Sequence, residues 1–238
     1  MSERVRGAIA LAPAPVASSL ALDLSAGDGL SSRMLAERGW RVVSTEYRTR
    51  KPGWIAVNLD NDLPFSTARF DLVMMLEVIE HLADIPHMLG EIARVMRPGA
   101  VAIVTTPNRL NVSSRVHYLL SGYYKGRRAP LAYKYRVADG RNWHVMGLND
   151  LHWIAWGAGL RMDALGRSRR KVRSRILAPI LWPFIAGFSW MLYGRVKDPK
   201  QREINRELLG FMTSASLLMD ENIIMRFHKI QEPKIEAR

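Results

Sequence analysis

The chain has 238 residues, of which 48% are hydrophobic and 24% charged, the composition of a globular protein with a substantial core. It contains no cysteine, which excludes disulfides and thiolate metal sites. Its formal net charge is +13. Because this length suits one α/β domain with insertions, we expect a single domain over residues 1–238.

The positive charge is concentrated in two stretches. Residues 115–136 contain six basic and no acidic residues, and residues 161–206 contain twelve basic and three acidic residues. The rest of the chain is therefore close to neutral. A near-neutral body with two basic segments indicates an anionic partner surface, although solvated arginines alone would give the same composition.

The N-terminal sequence "MSERVRGAIALAPAPVASSLA" imitates a secretory signal, with two arginines before small apolar residues. Pro13 and Pro15 interrupt its apolar part, and it leads directly into a strand that the fold needs. We therefore expect that it is not a targeting signal.

Short apolar strands and amphipathic helices alternate along the chain. "LALDLS" predicts the first strand, and "GLSSRMLAERG" a helix that follows a glycine-rich turn. "WRVVSTEY", "WIAVNL" and the continuous apolar run "FDLVMML" predict three more strands. The helix "DIPHMLGEIARVMRPG", with Pro98-Gly99 as its stop, precedes a fifth strand, "AVAIVTTP".

The later elements continue the alternation. "LNDLHWIAWGAGL" predicts a helix, "LRMDALGRS" a sixth strand and "ENIIMRFHKI" a seventh. This order predicts an α/β fold with a doubly wound, Rossmann-like sheet. Two insertions interrupt it, 107–145 after the fifth strand and 168–220 before the last. Insertions at the carboxyl ends of strands are where such sheets bind ligands, so we interpret 107–145 as a substrate lid.

The turn after the first strand, "ALDLSAGDGLSS", combines glycines with an acid. Gly27 and Gly29 allow a tight turn and the close approach of a ligand, but Ser32 replaces the third glycine of a dinucleotide fingerprint. Asp23 would repel a pyrophosphate and suits a ligand with a cationic centre. Glu46, at the end of the second strand, is placed to accept hydrogen bonds from two ribose hydroxyls.

Four motifs in order, "ALDLSAGDG", "VVSTEY", "NLDNDLPFSTARFDLVMMLEVIEHL" and "EIARVMRPGAVAIVTTPN", carry a family resemblance. Together they resemble class I S-adenosylmethionine-dependent methyltransferases, above all the branch of ubiquinone-biosynthesis O-methyltransferases and polysaccharide-cluster methyltransferases. The resemblance covers residues 20–108 closely and the later strands loosely. It implies a seven-stranded sheet whose last strand is antiparallel, with S-adenosylmethionine as the cofactor.

The resemblance also implies roles for individual residues. Asn58, where the family usually has aspartate, would face the adenine amino group, with Tyr47 and Leu59 beside the ring. Ser25 stands where the family usually has its first glycine, so we expect weaker cofactor affinity at most. The residues expected to bind the cofactor are Asp23, Ser25, Gly27, Gly29, Glu46, Tyr47, Asn58, Leu59 and Glu77.

The cluster "EVIEH", residues 77–81, is the candidate for the chemistry. On a helical turn, Glu77, Glu80 and His81 would share one face, and His144 is expected at the same end of the sheet. One interpretation makes His81 or His144 a general base for a hydroxyl, with Glu77 near the reacting methyl group. A second uses Glu77, Glu80, His81 and His144 to hold a divalent cation that acidifies the hydroxyl. A third makes Glu80 and His81 structural.

The stretch "ILAPILWPFIAGFSWMLY", residues 176–193, is apolar and bordered by basic residues. As a helix it would extend about 27 Å, barely the thickness of a bilayer core. Pro179, Pro183 and Gly187 weaken a straight helix. An in-plane helix or monotopic hairpin on an anionic membrane, a helical lid or dimer contact, and a true span all stay open.

These patterns lead to one functional hypothesis. It is an S-adenosylmethionine-dependent O-methyltransferase, peripheral on the inner face of the cytoplasmic membrane, that acts on a hydroxyl of a lipid-linked glycan or another membrane-associated acceptor. The alternatives are a soluble small-molecule or RNA methyltransferase and a non-catalytic, cofactor-binding scaffold. Nucleic acid is not the expected partner, because no RNA-binding module is recognisable. A homodimer stays open.

Overall fold

A seven-stranded sheet organises the computed structural model, which describes residues 3–122, 124 and 146–230. The strand order is β3-β2-β1-β4-β5-β7-β6. The strands are β1 (Leu20–Leu24), β2 (Arg41–Glu46), β3 (Ile55–Ala56), β4 (Phe70–Leu76), β5 (Met96–Pro107), β6 (Leu160–Leu165) and β7 (Asn222–Lys229). The helices are α1 (Glu3–Leu11), α2 (Leu30–Glu37), α3 (Ile85–Val95), α4 (Val112–Ser121), α5 (Leu148–Gly157), α6 (Val172–Tyr193), α7 (Pro199–Met212) and α8 (Ala215–Met219).

The pairing of the strands confirms the predicted topology. Strands β3, β2, β1, β4 and β5 pair in parallel with one another, whereas β7 is antiparallel to both β5 and β6. The sheet is therefore the seven-stranded, Rossmann-like sheet with an antiparallel last strand that the sequence predicted. The assignment of residues 1–238 to a single domain stays a prediction.

Alternation along the central strand separates two apolar layers. Val73 and Met75 face the larger cluster, which contains residues of α3 and α5, while Leu72 and Met74 face a smaller cluster formed with α1 and α2. Successive side chains of a strand point to opposite faces, so one continuous apolar run fills both layers. The carboxyl ends of the strands form an edge of the sheet at which polar residues lie.

Prediction and structure differ at three elements. Helix α1 was not predicted, yet Val5, Ala8 and Ile9 are buried against the sheet. The third strand is only Ile55–Ala56. Helix α3 ends at Val95, before Pro98-Gly99, which lies within β5 where the pairing with β4 shifts register.

The insertion before β7 forms three helices on the side of β6 and β7. Helix α6 runs without a break from Val172 to Tyr193 although it contains Pro179 and Pro183, and the expected weakening of a straight helix stays a prediction. Its contacts with α4, α7 and α8 hold it along one side. Of the 107–145 insertion, α4 is described, and the lid assignment for the remainder lies outside the described residues.

Helix α6 meets the length and composition expected of a membrane span. It has 22 residues, and its mean hydropathy is 1.6 over its most apolar window. Only 11% of that window is buried, which is unlike the core helix of a globular protein. Within the described residues it is the one helix with these properties.

We predict that Gly7→Ala destabilises the docking of α1. A Cβ on Gly7 would overlap the carbonyl oxygen of Arg167 and lie 2.8 Å from Ile224 Cδ1. Overpacking of this kind costs about 1–3 kcal/mol, which urea unfolding measures.

The matched control is Gly90→Ala in α3, where a Cβ would meet no atom within 4 Å. This variant should gain about 0.5–1 kcal/mol, because alanine loses less backbone freedom in a helix. Equal effects of the two variants would contradict the packing of α1.

Candidate active site

A strained loop follows β1 at the carboxyl edge of the sheet. Ser25, Gly27 and Gly29 have φ of 53°, 57° and 83°, in the left-handed region that glycine adopts without cost. A Cβ on Gly27 would meet no atom within 4 Å, so the backbone there is open to a ligand. Serine at position 25 therefore carries a backbone conformation for which the family usually has glycine.

Glu46 fixes this loop from the end of β2. Its Oε1 accepts hydrogen bonds from Ser25 Oγ at 3.0 Å and from the Tyr47 backbone N–H at 2.9 Å, and its Oε2 accepts the Gly27 N–H at 2.9 Å. A carboxylate has about four acceptor positions, so three donors leave room for one more. Two ribose hydroxyls would have to share that position or displace a donor such as Ser25.

Asp23 is buried rather than open to the loop. Its Oδ2 accepts hydrogen bonds from Ser31 Oγ and Ser32 Oγ, both at 2.6 Å. Burial raises the pKa of Asp23, while the two hydroxyls act in the opposite direction. Ser32, which ruled out the dinucleotide fingerprint, here ties the start of α2 to the end of β1. The predicted role of Asp23 toward a cationic ligand stays a prediction.

The three residues expected near adenine lie in different surroundings. Tyr47 is 56% exposed, and Asn58 is exposed with its Oδ1 accepting the Asp60 N–H at 3.1 Å. Leu59 is 8% exposed and belongs to the main apolar core. Tyr47 and Asn58 are therefore accessible to a ligand, while only a small part of Leu59 is accessible.

Lys51 and Trp54 contact the same loop, which motif reasoning missed. Lys51 Nζ donates to the Gly27 carbonyl oxygen at 2.6 Å and lies 4.0 Å from the centre of the Trp54 ring. A Cβ on Gly29 would lie 3.0 Å from Trp54 Cζ2, so a side chain there would press against the Trp54 ring. The alternation of basic and aromatic residues after β2 was the available signal.

Glu77 ends β4 in a left-handed conformation, with φ of 59°. Its backbone N–H donates to the Thr105 carbonyl oxygen at 3.1 Å, and Thr105 Oγ1 donates to Glu77 Oε1 at 3.0 Å. Arg4 of α1 brings its Nη1 to 3.7 Å from Glu77 Oε2. Burial raises the pKa of Glu77, and the Arg4 charge opposes that shift.

Glu80 lies on a 3-10 turn, Ile79–His81, and is 4% exposed. Its Oε2 accepts a hydrogen bond from Thr106 Oγ1 at 3.3 Å. Burial, followed by the charge of Glu77, raises the pKa of Glu80 to about 7. A carboxyl group that titrates near neutrality at this edge can hold or release a proton under ordinary conditions.

The expected helical face of Glu77, Glu80 and His81 was wrong, because Glu77 is left-handed and only the last two share a turn. The three residues still lie together, with His81 Nε2 at 4.0 Å from Glu80 Oε1. This separation allows a charge interaction but exceeds a hydrogen bond. The His81 side chain is 41% exposed and so is open to an acceptor.

The residues proposed for a metal are only partly placed. His144 lies outside the described residues. In residues 3–122, 124 and 146–230, no three histidine or acidic side chains form a group that could hold a metal ion. Glu77, Glu80 and His81 therefore do not form such a group by themselves, and a divalent cation stays a prediction that needs His144.

The sheet and the site define a class of protein. Three solved structures share the fold at low identity. One is a methyltransferase bound to the Haloferax volcanii Trm112 methyltransferase activator, with a TM-score of 0.56 and 16% identity, and the match covers 96% of this chain and 90% of that one. Another is an Archaeoglobus fulgidus SAM-dependent methyltransferase, with a TM-score of 0.55, 13% identity and coverage of 90% of this chain and 87% of that one. The third is a Mesorhizobium loti S-adenosylmethionine-dependent methyltransferase, with a TM-score of 0.54, 13% identity and coverage of 94% of this chain and 95% of that one. The fold is thus that of class I methyltransferases.

The sequence itself matches a family model described as a methyltransferase domain over residues 1–165. The chain belongs to this family. The match confirms the resemblance inferred from the motifs, and it includes every described residue of the cofactor loop and of the "EVIEH" cluster.

Curated relatives align over the same motifs. A Mycolicibacterium smegmatis protein named "Probable S-adenosylmethionine-dependent methyltransferase" is 34% identical over 102 residues, 39% of each chain. A Rhizobium etli ubiquinone biosynthesis O-methyltransferase is 28% identical over 110 residues, 41% of this chain and 44% of that one. The chain thus matches about two fifths of the length of these relatives.

We predict that Glu80 makes stability depend on pH. Its pKa rises from 4.5 to about 7 on folding, so the folded protein binds the extra proton and loses stability as pH rises through that window. Relative to Glu80→Gln, the wild type should lose about 3 kcal/mol of unfolding free energy between about pH 5 and pH 8, measured by urea titration.

Glu91→Gln is the matched control. The hydrogen bonds from Arg94 hold the pKa of Glu91 below its usual value, so its contribution is already complete above about pH 5. The difference from wild type should then stay constant between pH 5 and pH 8. Parallel stability curves for wild type and Glu80→Gln would contradict the buried, proton-holding state of Glu80.

Proposed function

We propose that this protein is an S-adenosylmethionine-dependent O-methyltransferase that acts on a hydroxyl of a lipid-linked glycan or another membrane-associated acceptor. The observation that carries the proposal is the bonding of Glu46 to Ser25 and Gly27, which holds a carboxylate beside an open glycine loop, where it would accept hydrogen bonds from ribose hydroxyls. The membership of the methyltransferase-domain family supports the same chemistry.

The described residues suit the cofactor. Glu46 would take the ribose hydroxyls, and the bare backbone at Gly27 would allow the ligand to approach closely. Tyr47 and Asn58 are exposed beside this region and would border the adenine. When bound, S-adenosylmethionine supplies an electrophilic methyl group, so the protein has to align a nucleophile and remove its proton.

His81 and Glu80 are the proposed groups for that proton. A hydroxyl is a poor nucleophile at neutral pH, so a base near the methyl group accelerates the transfer. We assign the base to His81, because its side chain is accessible and the buried Glu80 carboxyl lies 4.0 Å away. Burial raises the pKa of Glu80 to about 7, so a carboxyl that exchanges a proton near neutrality lies beside the proposed base.

The acceptor class follows from the apolar insertion. Helix α6, which packs on α4, α7 and α8, exposes large apolar side chains, and these support an acceptor held in or on a membrane. We propose a peripheral location on the inner face of the cytoplasmic membrane, because basic residues border the apolar segment as they do on that side.

Glu46→Ala should weaken S-adenosylmethionine binding by about 10- to 100-fold, the loss expected for hydrogen bonds to a charged group. Isothermal titration calorimetry measures the change. Glu37→Ala removes an exposed carboxylate at the end of α2 and should leave the affinity unchanged. A wild type that does not bind S-adenosylmethionine would exclude the enzyme and leave a scaffold.

Purified protein with methyl-labelled S-adenosylmethionine should transfer label to a membrane-lipid extract of its source cells. The labelled bond should resist mild alkali, as an ether does and an ester does not. His81→Ala should lower the rate at pH 7 by about 100-fold or more. Label that enters only the aqueous or RNA fraction would overturn the acceptor class while leaving the methyltransferase chemistry intact.

A further inference from the structure

One side of α6 is apolar and faces solvent along the whole helix. Ile176 and Ile180 are 65% and 63% exposed, Phe184 67% and Trp190 55%. At about 100° per residue these positions fall within one arc of the helix. We call this arc the α6 face, and its exposed large side chains are Val172, Ile176, Ile180, Phe184, Trp190 and Met191.

The opposite side of α6 is packed on the body of the protein. Ser174, Ala178 and Ser189 are buried there, and small side chains allow close approach. Ser174 Oγ accepts the Ser113 N–H of α4 at 3.2 Å, and Trp182 Nε1 donates to the Thr213 carbonyl oxygen beyond α7 at 3.2 Å. The helix is therefore fixed to the protein, and the apolar side chains of the α6 face have no packing partner in the described residues that buries them.

Basic residues lie at both ends of the α6 face. Arg173 and Arg175 are exposed in its first turn, and Arg195 and Lys197 are exposed just beyond its last residue. No carboxylate among the described residues forms an ion pair with Arg173 or Arg175. An apolar, aromatic surface bordered by cations is complementary to an anionic lipid bilayer, which is apolar inside and negatively charged at its surface.

We propose that the α6 face docks in the plane of an anionic lipid bilayer, with its apolar side chains among the acyl chains and its flanking arginines on the phosphates. The proposal deepens the proposed function by naming the surface that would hold the enzyme on the membrane of its acceptor. Only the identity of the acceptor rests on the proposed function.

A span across the bilayer conflicts with the neighbours of α6. Helix α7 lies beside it, as the hydrogen bond from Asn205 Nδ2 to the Tyr193 carbonyl oxygen shows, and α7 carries exposed Lys200, Arg202 and Glu203. These charges would enter the hydrocarbon with α6 if the helix crossed it, at high cost. Pro179 and Pro183 also leave carbonyl groups without helical donors, which an interface can hydrate.

A second copy of the chain is a poor occupant of the α6 face. If two such faces met in parallel, the basic N-terminal ends would meet each other. If they met antiparallel, Arg173 and Arg175 would face Arg195 and Lys197. Like charges oppose both arrangements, whereas anionic phosphates satisfy the arginines at either end.

Flotation of the full chain with vesicles tests the proposal. Binding is expected to phosphatidylglycerol–phosphatidylcholine vesicles and should be at least about tenfold weaker to phosphatidylcholine alone. Ile180→Ser with Phe184→Ser should weaken binding on the order of a hundredfold. An alkaline carbonate wash should release the bound protein, and protein that resists the wash would overturn the in-plane arrangement.

Charge reversal distinguishes an effect of Arg173 and Arg175 from an effect of the protein's overall positive charge. Arg173→Glu with Arg175→Glu should weaken binding to anionic vesicles by about tenfold or more. The control, Arg41→Glu with Arg50→Glu, makes the same change in net charge near the other edge of the sheet, where β2 and β3 lie. The control should bind as wild type does, and equal losses would overturn the assignment to α6.

Two further outcomes count against the proposal. Protein that stays in solution with both vesicle types overturns it, and so does a dimer in sedimentation that Ile180→Ser with Phe184→Ser turns into monomer. Calorimetry with S-adenosylmethionine on the same variants should show unchanged affinity. If the wild type does not bind S-adenosylmethionine but still floats with anionic vesicles, the proposed function fails while the assignment of a lipid-binding surface to α6 holds.

Discussion

Strand β7 is the constraint on which the second half of the protein depends. Its antiparallel ladders join β5 from Val101 to Pro107 on one side and β6 on the other. After the long insertion that carries α6, α7 and α8, the chain must therefore return to a position between β5 and β6. An insertion that begins and ends on the same side of the sheet has to fold back on itself, and the pairing of α6 with α7 does this.

The carboxyl edge of the sheet gathers acidic side chains in three different states. Glu46 is held by backbone and hydroxyl donors, Glu77 is near the Arg4 cation, and Glu80 is buried with one threonine donor. Each additional donor or cation favours the charged carboxylate, and burial favours the neutral acid. One edge can thus offer an acceptor for hydroxyls at the end of β2 and, after β4, two strands away, a group that exchanges a proton near neutrality.

The sequence predicted the parts of the fold where local pattern and tertiary role agree. The apolar runs of β4 and β5, the glycine loop and Glu46 follow directly from the motifs. Helix α1 escaped prediction because its alanines and glycine carry little hydrophobic signal, and its burial depends on contacts with Leu35 and Ile224 far along the chain.

The site differed from expectation for a similar reason. The hydrogen bond of Lys51 to the Gly27 carbonyl oxygen and the left-handed backbone of Glu77 depend on how distant segments meet, which spacing cannot reveal. Helix α6 includes two prolines despite their low propensity, because propensity describes an isolated helix, whereas α6 is held by its neighbours. His144 and the segment around it lie outside the described residues, so the expectations placed there remain predictions.

Helix α1 links two regions that are distant in the sequence. Gly7 lies against the backbone of Arg167, five residues before α6 begins, and Arg4, on the preceding turn of the same helix, reaches Glu77. Three residues of helix extend about 4.5 Å, a length that cannot stretch. On a docked protein, the same helix would therefore tie the carboxyl edge at Glu77 to the segment that leads into α6.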